Sequence, residues 1–335
     1  MPLFKLLLRR LLLGLVTLLL VSLLVFFATQ GLPGDTAVAI LGKDATPERL
    51  EALRRDLQLE RPLVVQYVSW LGGVIRGDLG ESLVVGRTSG ALGSTDYGEN
   101  EGVPVTSVIG RRVVNSAALV LVAALASVPI GIALGSVSAL RRDGLFDTSV
   151  TIGSLVFVAT PEFVIGVMLV LLLSTGVFNL LPAVSSVQQD VSIWRQMGQL
   201  FLPSLTLTIA VIPYIARLLR GSMVDVFESD YVLLARLKGT RERIVMQRHA
   251  LPNAIAPTLQ IIAMNLAWLA GGVVTVEYLF NYPGIGTALV DAVTNRDVPV
   301  IQAITLLIAS LYVLFNLVAD ILTILVSPRM RTGLQ

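Results

Sequence analysis

The chain has 335 residues, 54% of them hydrophobic and 14% charged, with a mean hydropathy of +0.79 and a net charge of +2. Soluble domains carry about 25% charged residues, so this balance excludes an ordinary soluble domain and indicates a membrane protein. There is no cysteine and one histidine, His249, which excludes a disulfide framework, a thiolate metal site, a cysteine nucleophile and a multi-histidine zinc site.

Lys5, Arg9 and Arg10 precede a charge-free run from Leu11 to Gly34. Its apolar part, Leu11 to Ala28, is longer than a secretory h-region, and no clean small-x-small cleavage site follows. It is therefore read as a first membrane helix rather than a signal peptide, since a bilayer core needs about 20 apolar residues. Residues 31–112 form a long polar excursion. Thr46-Pro47 places a cap before a first-position proline and opens a helix to about Leu57. A second helix is predicted from Pro62 to Ile75, carrying Tyr67 and Trp70, with a G-D-L-G turn after it in Gly77 to Leu83. Arg87 to Gly102 is rich in Gly, Ser and Thr and reads as a flexible insertion.

Residues 113–335 read as a core of five further spans. Val113 to Leu140 is the second span, with Pro129, Gly131 and Gly135 as kinking or close-packing positions. Arg141 to Gly144 is a tight inside turn. The third span, about Phe146 to Thr175, is interrupted by Thr160-Pro161-Glu162-Phe163. Splitting it leaves a piece too short to cross, so one long kinked helix is expected, with Glu162 inside or near the bilayer. The fourth span is Leu200 to Ala216, with Arg217 and Arg220 leading into a basic segment. The fifth is about Pro257 to Val276, with Glu277 just beyond it. The last is about Val300 to Val326, with Asp320 near its inside end. The two short outside loops hold only Arg195 and Arg296, so six spans with both termini inside satisfy the positive-inside bias. No internal repeat of the kind found in secondary carriers is evident.

The basic segment, Ser229 to Pro257, reads SDYVLLARLKGTRERIVMQRHALPNAIAP. Ser229 or Asp230 can cap a helix through Tyr231, Ala235 and Lys238, and Gly239 sits where a left-handed residue would stop it. Thr240 can then cap a second helix from Arg241 to about Ala250, with Pro252 and Pro257 ending it. Val232, Leu233, Ala235 and Leu237 supply packing on the first helix, which is too short to stand alone and calls for a partner surface.

Ala235, Gly239, His249 and Leu251-Pro252 resemble the E-A-A-x3-G-x9-I-x-L-P coupling loop of ABC importer permeases, with Leu233 and Leu234 in place of the Glu and first Ala, and His249 in place of the Ile. The tract DYVLLARLKG…RHALPNAIAP is similar to the dipeptide/oligopeptide/nickel branch, as is VVTVEYLFNYPGIGTALVDAV. The resemblance implies an all-α membrane protein of the type I ABC importer permease fold, with six transmembrane helices and an extracytoplasmic helical excursion after the first. It implies that the loop at 221–256, through Asp230, Tyr231, Ala235, Lys238, Gly239, Arg243, His249, Leu251 and Pro252, docks on an ATPase subunit. The implied partners are a second homologous permease, two ABC ATPase subunits carrying ATP and Mg, and an extracytoplasmic substrate-binding protein. The implied location is the cell's inner membrane, and the implied cargo a dipeptide or oligopeptide. No nucleic-acid partner is implied.

This chain has no P-loop of its own, no nucleophile beside a base and no metal-ligand cluster, so no catalytic role, cofactor or metal is expected in it. Pro283, Gly284 and Gly286 form a turn that the resemblance places near an outer gate. Glu162 and Glu277 are the carboxylates nearest apolar depth. Each lines the translocation path, binds a substrate amine, accepts backbone hydrogen bonds from a broken helix, sits at the interface, or is held structurally at a kink, and for Glu277, facing outward just past its span, the structural reading is expected. An ion-coupled secondary transporter using both glutamates is the alternative reading.

Overall fold

The computed structural model describes residues 2–30, 46–48, 50–51, 61–82, 103–176, 178, 180–188 and 191–326. Among them the protein is built from helices, with one two-stranded ribbon. The Arg87–Gly102 insertion lies outside the described residues, as does most of the helix expected after Thr46-Pro47.

The helices in chain order are α1 (Pro2–Gln30), α2 (Leu63–Ile75), α3 (Val105–Leu140), α4 (Leu145–Ala159), α5 (Glu162–Val170), α6 (Met197–Phe227), α7 (Asp230–Leu237), α8 (Glu242–Ile244), α9 (Leu251–Leu279), α10 (Ile285–Thr294) and α11 (Val298–Val326). Among the described residues, four contain continuous stretches long and apolar enough to cross a membrane: Leu8–Gln30, Val105–Leu140, Met197–Phe227 and Val298–Leu322. Two bent pairs, Leu145–Ala159 with Glu162–Thr175 and Pro257–Leu269 with Val273–Leu279, bring the total to six when each pair is taken as one span.

The chain divides into two compact units. The first comprises Met1–Leu11, Ala117–Tyr282 and Leu311–Gln335. Its centre is α6, on which α4, α5 and α9 pack. Leu200, Leu207, Ile215 and Leu219 of α6 are fully buried. Pro203 and Pro213 lie inside α6 and do not end it, because buried neighbours can take up freed backbone carbonyls. The helix also runs on past Ala216 to Phe227, so Arg217 and Arg220 lie on it rather than on a loop. Gly131 and Gly135 of α3 face α6. A Cβ at Gly135 would sit 2.6 Å from the Ala216 carbonyl oxygen, so close approach of the two backbones requires glycine there.

The third span departs from the expected single kinked helix. α4 and α5 meet at 103°, sharper than a proline kink. Pro161 lacks the N–H that would continue the ladder and drives the residue before it to extended backbone. Thr160 is extended, at φ −95° and ψ 123°, and its hydroxyl donates back to the Val156 carbonyl at 2.7 Å.

The second unit comprises Leu12–Ser116 and Pro283–Ser310. Its apolar core joins Val105 and Ile109 of α3 to Ile285 and Ala288 of α10 and Val300 and Ile304 of α11. Strands β1 (Glu81–Ser82) and β2 (Val103–Pro104) pair antiparallel. The G-D-L-G turn before them is present, with Gly77 and Gly80 both at positive φ and the Gly80 N–H donating to Asp78 Oδ1 at 2.9 Å. Ser82 Oγ donates to Asp297 Oδ2 at 2.5 Å and Gln302 Nε2 to Thr29 Oγ1 at 2.8 Å, which fastens the excursion and the last helix within this unit.

Candidate functional site

The segment after α6 folds as an elbow. Ser229 occupies the N-cap position of α7 with extended backbone, but its hydroxyl donates to the Val226 carbonyl at 2.5 Å rather than capping the helix. The C-terminal end of α7 closes in a Schellman motif. The Thr240 N–H donates to the Ala235 carbonyl at 3.2 Å, the Gly239 N–H to the Arg236 carbonyl at 2.9 Å, and Gly239 takes φ +76°. The stop at Gly239 is therefore where the sequence places it.

The second half of the elbow differs from expectation. Arg241, not Thr240, is the N-cap of α8, which passes through a π-helical turn (Val245–Ala250) directly into α9. Pro252 does not end a helix. It sits in the first turn of α9, directly after the π turn, and the helical path runs on through it, with Pro257 further inside α9. Leu251 is half-buried in that turn and His249 half-buried in the π turn, with the His249 carbonyl accepting from Asn253 Nδ2 at 2.7 Å.

Packing divides α7 into two faces. Val232 and Ala235 are buried with Val245 against Val226 and Phe227. Leu233, Leu234 and Leu237 lie on the opposite face and are 54%, 56% and 75% exposed, so of the residues expected to pack, Val232 and Ala235 do so among the described residues while Leu233 and Leu237 are left for a partner surface. Asp230, Tyr231, Lys238, Gly239 and Arg243 are exposed as well. Arg236 braces the elbow. Its guanidinium donates to both Glu242 carboxylate oxygens, at 2.5 and 3.2 Å, and lies 5.3 Å from the centre of the Phe227 ring. The Glu242 carboxylate in turn raises the guanidinium's already high pKa.

A second polar assembly, not foreseen from the residue pattern, ties α6 to the α3–α4 turn. The Asp147 carboxylate, 3% exposed, accepts from Arg220 Nε and Nη2 at 2.5 Å each, from the Ser138 hydroxyl, and from the Asp143 N–H at 3.0 Å. Arg142 Nη1 reaches Glu228 Oε1 at 2.7 Å. Asp147 looks like an ordinary acidic residue in a helix's first turn, and nothing local pairs it with a side chain 73 positions away.

Glu162 is half-buried at the start of α5, where a helix N-terminus favours a carboxylate. Gly166, one turn further on, packs so closely on α9 that a Cβ would lie 2.5 Å from Leu279 Cδ2. Glu277 does not project outward past the end of a span. It is fully buried in the last turn of α9. Its carbonyl accepts from the Tyr282 N–H at 2.8 Å, and burial, then the Glu277 charge, push the Tyr282 phenol well above its usual pKa. Pro283, Gly284 and Gly286 belong to the other unit. Gly284 is the N-cap of α10 with φ −109°, and the left-handed residue of this turn is Asn281, at φ +50°. Asn115 Nδ2 donates to the Pro283 carbonyl at 2.8 Å, and the Ile285 N–H to Ser116 Oγ at 2.8 Å. Among the described residues no cluster of His, Asp and Glu could hold a metal ion.

The geometry so far defines, among the described residues, a predominantly helical multi-span membrane protein with a braced helical elbow outside its spans. Comparison with known proteins is specific. Residues 127–332 match the family "Binding-protein-dependent transport system inner membrane component", and residues 3–123 match that family's N-terminal region. A Sinorhizobium fredii protein named "probable peptide ABC transporter permease protein" is 35% identical over 97% of this chain and 98% of its own length. A glutathione transport system permease of Pectobacterium atrosepticum is 37% identical over 96% and 97%. A dipeptide transport system permease of Lactococcus lactis is 34% identical over 98% and 99%. The chain belongs to this family of ABC importer permeases, non-catalytic multi-pass components of the inner membrane.

Proposed function

We propose that this chain forms half of a peptide path through the membrane and that the α7–α8 elbow is its coupling element. The cargo reading, dipeptides or oligopeptides, draws support from the peptide, dipeptide and glutathione permeases to which the chain is similar along nearly its whole length. Family membership implies an extracytoplasmic binding protein and ATPase subunits as partners. A second homologous permease, two ATPases carrying ATP and Mg, and cytoplasmic termini complete the proposed assembly.

The observation that carries the coupling role is the exposed apolar stripe of α7. Leu233, Leu234 and Leu237 face away from the chain while Val232 and Ala235 hold the helix to it from behind. An eight-residue helix is not stable alone. Here it is stiffened at its far end by the Gly239 turn and the Arg236–Glu242 pair. Such a helix can seat in an ATPase cleft and pass that subunit's motion directly to α6 and α9, which flank the elbow. ATP binding then opens the path toward the binding protein, and hydrolysis resets it, as a rigid-body two-state change. Glu162, half-buried at the start of α5, is proposed to border the path, Glu277, fully buried in the last turn of α9, to be held structurally, and the Pro283–Gly286 turn of the other unit to serve the outer gate. An ion-coupled carrier built on Glu162 and Glu277 is not favoured by the family membership.

Purification from native membranes in mild detergent tests the assembly. P-loop ATPases, a second six-span permease and a binding protein are expected to co-purify. Reconstituted, the complex is expected to accumulate labelled dipeptide with ATP and to keep doing so when the proton gradient is collapsed. Uptake that follows the proton gradient and ignores ATP would overturn the proposal.

A further inference from the structure

We infer that α2 is a membrane-interface helix, lying in the leaflet that holds the C-terminal end of α1, with lipid against one of its faces. It sits in the polar excursion of the sequence, yet its thirteen residues, LVVQYVSWLGGVI, carry no charge. At about 20 Å it is too short to span a bilayer. Arg61 precedes it and Arg76 follows it.

Three faces separate at helical spacing. Tyr67 and Trp70 point to α1. The Tyr67 hydroxyl shares a 2.9 Å hydrogen bond with Ser22, and the Phe26 ring lies 5.4 Å from Tyr67 and 5.7 Å from Trp70. Phe26 and Ser22 lie about 6 and 12 Å along the helix before Gln30, both within the apolar run of α1 that ends at Ala28. The contact therefore holds α2 beside the span below its end, not above the membrane. Val64, Val68 and Ile75 form a second face, 67%, 63% and 78% exposed. Gln66 and Ser69 form the polar side opposite that apolar stripe.

The occupant of the apolar face follows from continuity. Leu20 and Leu24 of α1, 57% and 68% exposed, belong to a span whose apolar 18-residue window is only 11% buried within the chain, which leaves that surface open to lipid. α2 is clamped to the same end of that span and extends its apolar surface sideways. A tyrosine and a tryptophan at this level are the usual interface residues, with apolar rings in the acyl region and polar tips near the headgroups. The inference rests on α1 being a span and is independent of the coupling role of the elbow.

The absence of cysteine makes the test direct. Nitroxide labels are placed one at a time at Val64→Cys, Val68→Cys, Ser69→Cys and, as the span reference, Leu20→Cys in the full transporter reconstituted in phosphatidylcholine–phosphatidylglycerol vesicles. Relaxation by oxygen, which enters the bilayer, is compared with relaxation by a water-soluble nickel chelate. Labels at 64 and 68 are expected to behave like that at 20, open to oxygen and closed to the chelate, but within about 10 Å of the headgroups. The label at 69 is expected to meet the chelate. Chelate access at 64 and 68 would put this face in water, and shielding from both agents would put a protein subunit there. Either result overturns the inference. Each site reads out separately, so a variant that fails to assemble leaves the other labels to decide.

Discussion

Gly239 shows how a single backbone angle sets a testable limit. No heavy atom would lie within 4 Å of a Cβ added there, so substitution is opposed by φ +76° alone. A left-handed Ala costs roughly 1–2 kcal/mol, whereas Pro is locked near −65° and has no N–H to donate to Arg236. We predict that Gly239→Ala keeps most dipeptide uptake and that Gly239→Pro lowers uptake at least about tenfold, with the subunit still in the membrane and ATP still hydrolysed. The check is the ratio of peptide transported to ATP hydrolysed in vesicles. A wild-type ratio in the proline variant would remove the elbow's coupling role. Asp147 makes the matching prediction for a buried charge. Asp147→Asn leaves Arg220 without its counter-charge, and removing one partner of a buried pair costs about 3–5 kcal/mol. Because Arg220 is 29% exposed, the lower end applies. A fall in the unfolding temperature of the solubilised complex is expected, and an unchanged value would show that the pair does not hold α4 to α6.

At the scale of elements, legibility in the sequence follows the range of the interactions. The spans, the helix at Leu63–Ile75 and the stop at Gly239 can be read because hydropathy and local backbone chemistry determine them. The continuation of α6 to Phe227 cannot, since Arg217 and Arg220 resemble a loop until Asp147 is brought to Arg220 by the fold. The elbow's second helix departs from expectation for a related reason. A proline after a helical run reads as its end, but at Pro252 the preceding π turn lets the helical path continue into α9. The sharp bend at Thr160-Pro161 is legible as an interruption, but its angle depends on packing in the whole unit. Glu277 resembles an outward-facing residue in the sequence because it follows the apolar run, yet it is fully buried in α9's last turn. Helix contact offers its own test. Gly135→Val would place side-chain atoms into the Ala216 backbone, so it is expected to destabilise by about 1–3 kcal/mol, while Gly153→Ala, with nothing within 4 Å of the new carbon, is expected to be neutral or slightly stabilising. Thermal unfolding of the two variants in parallel checks this, and equal losses would contradict the close α3–α6 approach.

For the whole molecule, a set of spans has to be driven by a motor that this chain does not contain. Contact with that motor is our proposal for the elbow, where Leu237 is the most exposed apolar residue. The cysteine-free chain allows one thiol to be placed at Leu237→Cys, carrying a photoactivated cross-linker, in the assembled transporter in its native membrane. If α7 seats in the motor, illumination captures an ATPase subunit bearing a P-loop, with a yield that changes between nucleotide-free and ATP-bound states. Capture of the binding protein, or of lipid alone with the ATPases demonstrably present, would contradict the coupling role.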